Sequence, residues 1–475
     1  MAKKNTKTFP KPISFKKLLG PSFIILALGL GSGEVILWPF LVAKFGLGIA
    51  WGAFLGITFQ YFMNMEIERY ALIKGESVFV GLNKMFKASA PWFILSTFIG
   101  FGIPGIIAAC AKVTSHLFSY SDHKWIAILF LCVIGLILSS GKTVYGIVEK
   151  ITKTVLLIGT PFIFVLTIIL ASKTGWIALF KGLIGIGESF VSGGTGYMFV
   201  PAGISFAAFL AAFAYAGAGG NLNLTQSIYV KEKGYGMGKY SQRMAGLFRR
   251  KDEQALELCG KECDFSKLSL KRFKQWWRLV SLEHLIVFWF MGLLTMSLLM
   301  LLSYSATFGK GITGSADIGF VITESTFISS GLSPIFGTIF LIVVVIMLFQ
   351  TQLGVLDSTS RIMAENFALK KMERKKKSKI NLSKIYYTFL WAQIAFGTVL
   401  FLANFKEPLT LIVTGAVINA VAMFVHVGLV NYMNHKILPK ELQAPIWRKA
   451  VMVIIFLFFA VFSVITIYTQ FGKLF

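Results

Sequence analysis

The chain has 475 residues, 56% of them hydrophobic and 14% charged, with a mean hydropathy of +0.72. Soluble domains carry nearer a quarter charged residues, and apolar runs of bilayer length recur here from end to end, which excludes a soluble globular protein. The net charge of +26 does not point to nucleic acid, because the positive residues sort by loop: of the 47 Lys and Arg, 39 lie at the N-terminal tail and every second loop, and 8 on the opposite side.

Eleven membrane spans are expected, at 17–44, 47–70, 91–113, 125–140, 151–171, 203–230, 280–304, 334–360, 384–404, 408–433 and 449–470. Lipid cannot satisfy a free backbone amide, so each must be helical. The first apolar run is too long for a cleavable signal peptide. The charge bias places the N-terminus in the cytoplasm and the C-terminus outside, in a multi-pass protein of the cell membrane. The expected organisation is a basic cytoplasmic tail (1–16), a first unit of five spans (17–171), an extracellular linker (172–202), a second unit of five spans (203–433) with a cytoplasmic loop at 231–279, and a final loop and span (434–475). Five is odd, so the second unit must be inverted relative to the first. The fold class is therefore an all-α integral membrane protein of about eleven helices, built as a 5+5 inverted repeat plus one.

The first span contains LGLGSGEVIL (28–37). Glycine costs about 1 kcal/mol relative to alanine in a helix interior, and an acid near mid-membrane costs several times that. Gly29, Gly31, Ser32, Gly33 and Glu34 thus mark a break, tolerated only where it faces protein or a water-filled cavity. The sixth span repeats the pattern in AYAGAGGNLNLTQ (214–226), with Gly217, Gly219 and Gly220 followed by Asn221, Asn223, Thr225 and Gln226. Interrupted helices at matching positions of two repeats point to the binding site of a secondary transporter. Glycines in one membrane helix often serve close packing alone; two matched breaks, each with strongly polar residues, favour a site.

The other candidates are weaker. Asp357 and Arg361, four apart on the eighth span, share a face and are expected to pair. Asn419 and His426, seven apart on the tenth, also share a face; His426 is a candidate gate or proton site. Glu66, Glu68, Glu283 and His284 fall near the cytoplasmic span ends and are expected at the interface. The basic loop 231–279 and the run KKMERKKKSK (370–379) read as topology anchors, in possible contact with anionic lipid. Cys110 and Cys132 lie in or near spans, and Cys259 and Cys263 lie in a reducing compartment, so no disulfide framework is expected. Gly141-Lys142-Thr143 ends like a P-loop, but Gly135 is one residue too far away and a membrane span precedes it. No catalytic constellation stands out, so an enzyme is not expected.

The segment GPSFIILALGLGSGEVILWPFLVAKFGLGIAWGAFL (20–55) resembles the first two spans of the Nramp family of divalent-metal transporters. MEIERYALIKGES (65–77) and FQTQLGVLDSTSRIMAENF (349–367) resemble that family's second and eighth spans. The resemblance implies a LeuT-type fold with helices 1 and 6 broken. Two patterns differ: the family's Asp-Pro-Gly-Asn reads Gly31-Ser32-Gly33-Glu34, and its Met-Pro-His reads Ala218-Gly219-Gly220. Loss of the thioether leaves an all-oxygen donor set: Glu34, the carbonyls of Gly31 and Ala218, and the amide of Asn221 or Asn223, with Ser32 and Thr225 beside them. Such a set suits Mg²⁺ or Mn²⁺ ahead of Fe²⁺, as substrate and not as a resident cofactor. The third span has no acid and the sixth no histidine, so strong proton coupling is not expected. A LeuT-type carrier of an amino acid or other organic solute stays open as an alternative, and so does a receptor or scaffold that kept the fold and lost transport.

Overall fold

The computed structural model describes residues 6–18, 20–140, 144–189, 195–241, 258–309, 318–374 and 380–471. Gly141-Lys142-Thr143, the loop segment 242–257 and the basic residues 375–379 lie outside them. Nine helices among the described residues are long and apolar enough to cross a membrane. Ala50–Lys74 and an interrupted pair at 206–233 complete the expected eleven. Below, the membrane face from which span 1 starts is the tail side.

Span 1 (Pro21–Phe45) has Pro21 at its first turn and stops at Gly46, whose φ of 79° suits glycine. Its weak point does not unwind. Leu30–Leu37 continues as π-helix between the α-helical Pro21–Gly29 and Trp38–Phe45. Pro39 lacks an N–H, so a carbonyl one turn earlier loses its donor; the glycines let the backbone widen around that loss instead of breaking. The expected break in the first span is thereby corrected to a π-helical segment.

Span 2 is Ala50–Lys74, capped by Gly75 in the left-handed region. Span 3 is split into Ser89–Phe101 and Gly105–Leu117 by Gly102-Ile103-Pro104, an interruption the sequence reading passed over. Spans 4 and 5 are His123–Ser140 and Val144–Leu170. Span 6 runs Phe206–Ala214, unwinds, then resumes as a 3₁₀ turn at Gly220–Leu224 and as α-helix at Thr225–Lys233. Span 7 covers Lys267–Thr307 with a π-helical turn at Leu285–Phe290. Span 8, Pro334–Arg374, has 41 residues, or about 60 Å of helix; it projects well past a hydrocarbon core of about 30 Å. Spans 9, 10 and 11 are Leu382–Leu402, Pro408–Ile437 and Ile446–Phe471.

Outside the spans, the 172–202 linker holds a helix (Lys173–Leu183) and a hairpin of β1 (Ile186–Ser189) with β2 (Thr195–Met198). A second short helix, Gly319–Gly331, precedes span 8.

Burial grades from the centre outward. The most apolar window of span 1 is 94% buried and that of span 11 only 28%. Exposed Leu, Ile and Phe side chains on spans 4, 5, 9 and 11 face where lipid would be. Span 1 is therefore the axis, enclosed by spans 6, 7 and 8.

On the tail side the N-terminal segment is docked. The Lys7 N–H donates to Glu262 O (2.8 Å), and Lys7 O accepts from Asp264 N (3.0 Å). Phe9 is fully buried, edge-on to Phe273. Asp264 accepts hydroxyl bonds from Ser269, Thr8 (2.7 Å) and Ser266 (2.9 Å). The Ser269 hydroxyl first, then those of Thr8 and Ser266, holds this carboxyl below the usual carboxylate range.

Candidate transport site

The glycines of span 1 press onto the unwound part of span 6. A Cβ on Gly29 would strike the Gly217 carbonyl, and one on Gly33 the Tyr215 carbonyl, both inside the 3.0 Å that real Cβ atoms keep. The two irregular segments expected to meet do so, backbone against backbone. Span 8 stitches the π-helix in place: Gly31 N–H donates to Thr351 Oγ1 (2.9 Å), which itself donates to Ala27 O (2.9 Å).

The break in span 6 needs glycine at two positions, Gly219 with φ 74° and Gly220 with φ 52°. Unwinding frees backbone groups that lipid could not satisfy. Gln60 of span 2 takes two of them with one amide: its Nε2 donates to Ala214 O (2.8 Å), and its Oε1 accepts from Gly219 N (3.2 Å). Gln60 was not among the candidates from sequence, nor were Thr351 and Tyr215.

Glu34 is wholly buried, and both carboxylate oxygens lack a hydrogen-bond partner. Its Oε1 lies 3.7 Å from where a Cβ on Gly292 of span 7 would stand, beside Ile57 and Leu26. The carboxylate thus points toward spans 2 and 7, while the Gly29–Gly33 face meets span 6. Ser32 and Ala218 are buried.

The polar residues of span 6 divide. Asn221 Nδ2 donates to Ser96 Oγ (2.8 Å) and Thr97 Oγ1 (3.0 Å) of span 3, leaving its Oδ1 unpartnered. Neither polar atom of the Asn223 amide has a partner. Thr225 Oγ1 donates within its own turn to Leu222 O (2.5 Å). Gln226 Nε2 donates to Glu68 Oε2 (3.1 Å). Asn419 of span 10 donates to Gly100 O and to the Tyr215 hydroxyl, each at 2.9 Å, and packs against Gly220. His426 is buried with both ring nitrogens unpartnered.

A cavity of about 10 Å³, the size of one water, lies beside the break between Gly100, Phe101, Tyr215, Gln352, Ile412 and Gly415. Among the described residues no three His, Cys, Asp or Glu side chains converge. The neutral oxygens at the break and the Glu34 carboxylate, which points toward spans 2 and 7, lie on different faces of span 1.

Asp357 and Arg361 pair as their spacing suggested: Arg361 Nε donates to Asp357 at 2.9 and 3.0 Å. Tyr386 (2.8 Å) and Tyr229 (3.0 Å) also donate to Asp357, and Arg361 Nη1 reaches Glu232 at 3.3 Å. Together they bolt the second half of span 6 to spans 8 and 9.

Glu66, Glu68, Glu283 and His284, expected at the interface near the cytoplasmic span ends, are covered by protein. All four are at most 2% exposed, because other helices cover these positions. Glu66 bridges Arg69 and Arg448, each at 2.8 Å. The four cysteines are free.

No family model matches the chain, and no curated protein does. Solved structures match over nearly its whole length. A mutant of the manganese transporter of Eremococcus coleocola is similar with a TM-score of 0.70 at 13% identity, over 98% of this chain and 90% of that one. Mhp1, a nucleobase-cation-symport-1 family transporter with bromovinylhydantoin bound, gives 0.54 at 12%, over 96% and 92%. MhsT in complex with L-phenylalanine gives 0.52 at 13%, over 94% and 97%. These neighbours are transporters and not enzymes. The chain has the LeuT-type fold of membrane secondary transporters.

Proposed function

We propose that this chain is a secondary carrier of a divalent inorganic cation, a hard ion such as Mg²⁺ or Mn²⁺, working by alternating access in the cell membrane with its N-terminus in the cytoplasm. One observation carries the proposal: Glu34, a fully buried carboxylate with no hydrogen-bond partner, stands in the π-helical segment of span 1, whose glycine face presses onto the break in span 6 while the carboxylate points toward spans 2 and 7. A buried charge left bare is costly, and a cation is the partner that removes the cost. Gly31, Ser32, Ala218, Asn221 and Asn223 offer further oxygens near the break; the Asn223 amide and Asn221 Oδ1 are unpartnered. An all-oxygen set with one acid suits an ion that keeps part of its water shell. The highest TM-score among the cited neighbours belongs to a manganese transporter. The unbroken helicity of span 1 fits a closed state, with Gly33, Gly217, Gly219 and Gly220 as the flexible points that open it. The scarcity of titratable groups at the break supports weak or absent proton coupling.

Uptake of Mn²⁺ and Mg²⁺ into proteoliposomes tests the proposal. Wild type should carry at least one of them, and Glu34→Gln should lose most of that flux. Equal flux in both proteins would overturn the role of Glu34, and no flux in either would favour a receptor or scaffold. The likeness to Mhp1 with bromovinylhydantoin bound and to MhsT in complex with L-phenylalanine supports a second proposal, a small organic solute as substrate. Organic uptake that divalent cations fail to compete would select it.

A further inference from the structure

Span 10 ends and span 11 begins on the tail side, with a short turn between them. Each helix turns one stripe of residues toward a cleft that separates the pair. On span 10 the stripe is Gly428, Asn431, Tyr432 and His435; on span 11 it is Lys449, Val453 and Phe456. Steps of three and four residues keep each stripe on one helix face, and each covers about 10 Å of axis. The helices run in opposite directions, so like residues meet. Lys449 Nζ donates to His435 Nδ1 (3.2 Å) at the tail-side end. At the deeper end the Phe456 ring lies on Gly428, where a Cβ would stand only 2.8 Å from it. The cleft holds about 400 Å³, in the range of roughly 300–1,000 Å³ found for ligand sites.

Its two ends differ in chemistry. At the tail-side end the turn fixes the ammonium: Lys449 also donates to Gln443 Oε1 (2.9 Å), and Gln443 Nε2 donates to His435 O (2.9 Å) and Leu438 O (2.8 Å). An ammonium has three N–H donors, and these bonds use two. Accepting from the ammonium at Nδ1 leaves the His435 proton on Nε2, a further donor. The lining includes no Asp or Glu, so an anion there meets donors and no opposing carboxylate. Tyr432 and Trp447 are exposed at this end and mark the level of the membrane interface, where such aromatics gather. The deeper end is apolar, and exposed Val453 opens it to the bilayer. A free anion would use the polar end and leave the apolar end unfilled. A hydrocarbon chain alone would do the reverse. A zwitterionic headgroup brings a second cation for which the lining has no acid. We infer that the cleft seats one anionic phospholipid of the tail-side leaflet, its phosphate on Lys449 and His435 and an acyl chain along Gly428, Val453 and Phe456. This seat lies on spans 10 and 11 and stands apart from the cation site proposed on spans 1 and 6.

Native mass spectrometry of the full-length chain in uncharged detergent tests it, with phosphatidylglycerol and phosphatidylcholine of the same acyl chains added in equal amounts. Wild type should retain one phosphatidylglycerol about fivefold more strongly than phosphatidylcholine, the worth of one lysine at an anionic membrane surface. Lys449→Gln should lose that preference. Val453→Trp fills the apolar end from an exposed position and should lower phosphatidylglycerol retention by a similar factor. Lys274→Gln, exposed on the tail-side extension of span 7, should change nothing. Thermal unfolding and size exclusion confirm the fold of each variant; should Lys449→Gln fail to fold, Val453→Trp carries the test. Equal retention of the two lipids by wild type would overturn the inference, and so would unchanged retention in Val453→Trp. Displacement of the lipid by inorganic phosphate would overturn it in favour of a plain anion site. A dimer that Val453→Trp breaks would overturn it in favour of a second copy of the chain.

Discussion

Substituting Gly33 by alanine tests the contact between spans 1 and 6. A helix gains up to about 1 kcal/mol when glycine becomes alanine, so propensity alone predicts stabilisation. The packing predicts the reverse. The new methyl would stand against the Tyr215 carbonyl, a backbone group of a segment already held by Gln60 and by the Asn419–Tyr215 bond. That carbonyl cannot turn aside as a side chain would, so the two spans must part by more than about 1 Å, and overpacking of this kind costs roughly 1–3 kcal/mol. The net expectation is a loss of up to about 2 kcal/mol by these two principles together. Gly159→Ala on span 5 is the matched control: its new methyl would meet Val343 at 3.6 Å, an ordinary contact, and the propensity gain should survive. Thermal unfolding in detergent, read by tryptophan fluorescence, compares the two. Gly33→Ala should melt below wild type and Gly159→Ala at or above it; a Gly33→Ala protein as stable as the control would refute the close approach of the two segments.

Gln60→Met should destabilise strongly, because it orphans Ala214 O and Gly219 N at about 1–3 kcal/mol each; an unchanged midpoint in the same melt would show that the break does not depend on this clamp. Arg361→Met should cost roughly 3–5 kcal/mol by leaving Asp357 buried without its cation. The double variant Asp357→Asn/Arg361→Met should melt higher than Arg361→Met alone, and a lower midpoint would contradict the pairing. The N-terminal segment should stay docked from neutral pH down to the ordinary aspartate value of about 3.9. Its anchor Asp264 is held below that value, so its contribution is present above it and lost only as the pH falls further. Limited proteolysis at stepped pH reads this, and release between pH 5 and 7 would contradict it.

The sequence carried the span count and the break in span 6 because each rests on a strong local signal: bilayer-length apolar runs, and Gly219-Gly220 where only positive φ lets the chain turn. The same signal in span 1 marked the right residues but not their conformation. Glycines report where a helix is weak; whether it unwinds or widens was decided by Pro39 and by Thr351 reaching in from span 8. The Gly102-Ile103-Pro104 interruption was equally visible and was passed over because no polar residue drew attention to it. The burial of Glu68 and Glu283 was not legible, because their place near the span ends says nothing of the neighbouring helices that cover them. Gln60 and Thr351 were illegible for another reason. Their importance lies in which backbone groups a different span leaves open, and that is knowledge only the packed structure holds.

The central claim is that the Glu34 carboxylate waits for a cation. Isothermal titration of Mn²⁺ into wild type and into Glu34→Gln, both shown to be folded, reads it directly. At least tenfold weaker binding of one ion in Glu34→Gln is the expected result, and superimposable isotherms would contradict the account.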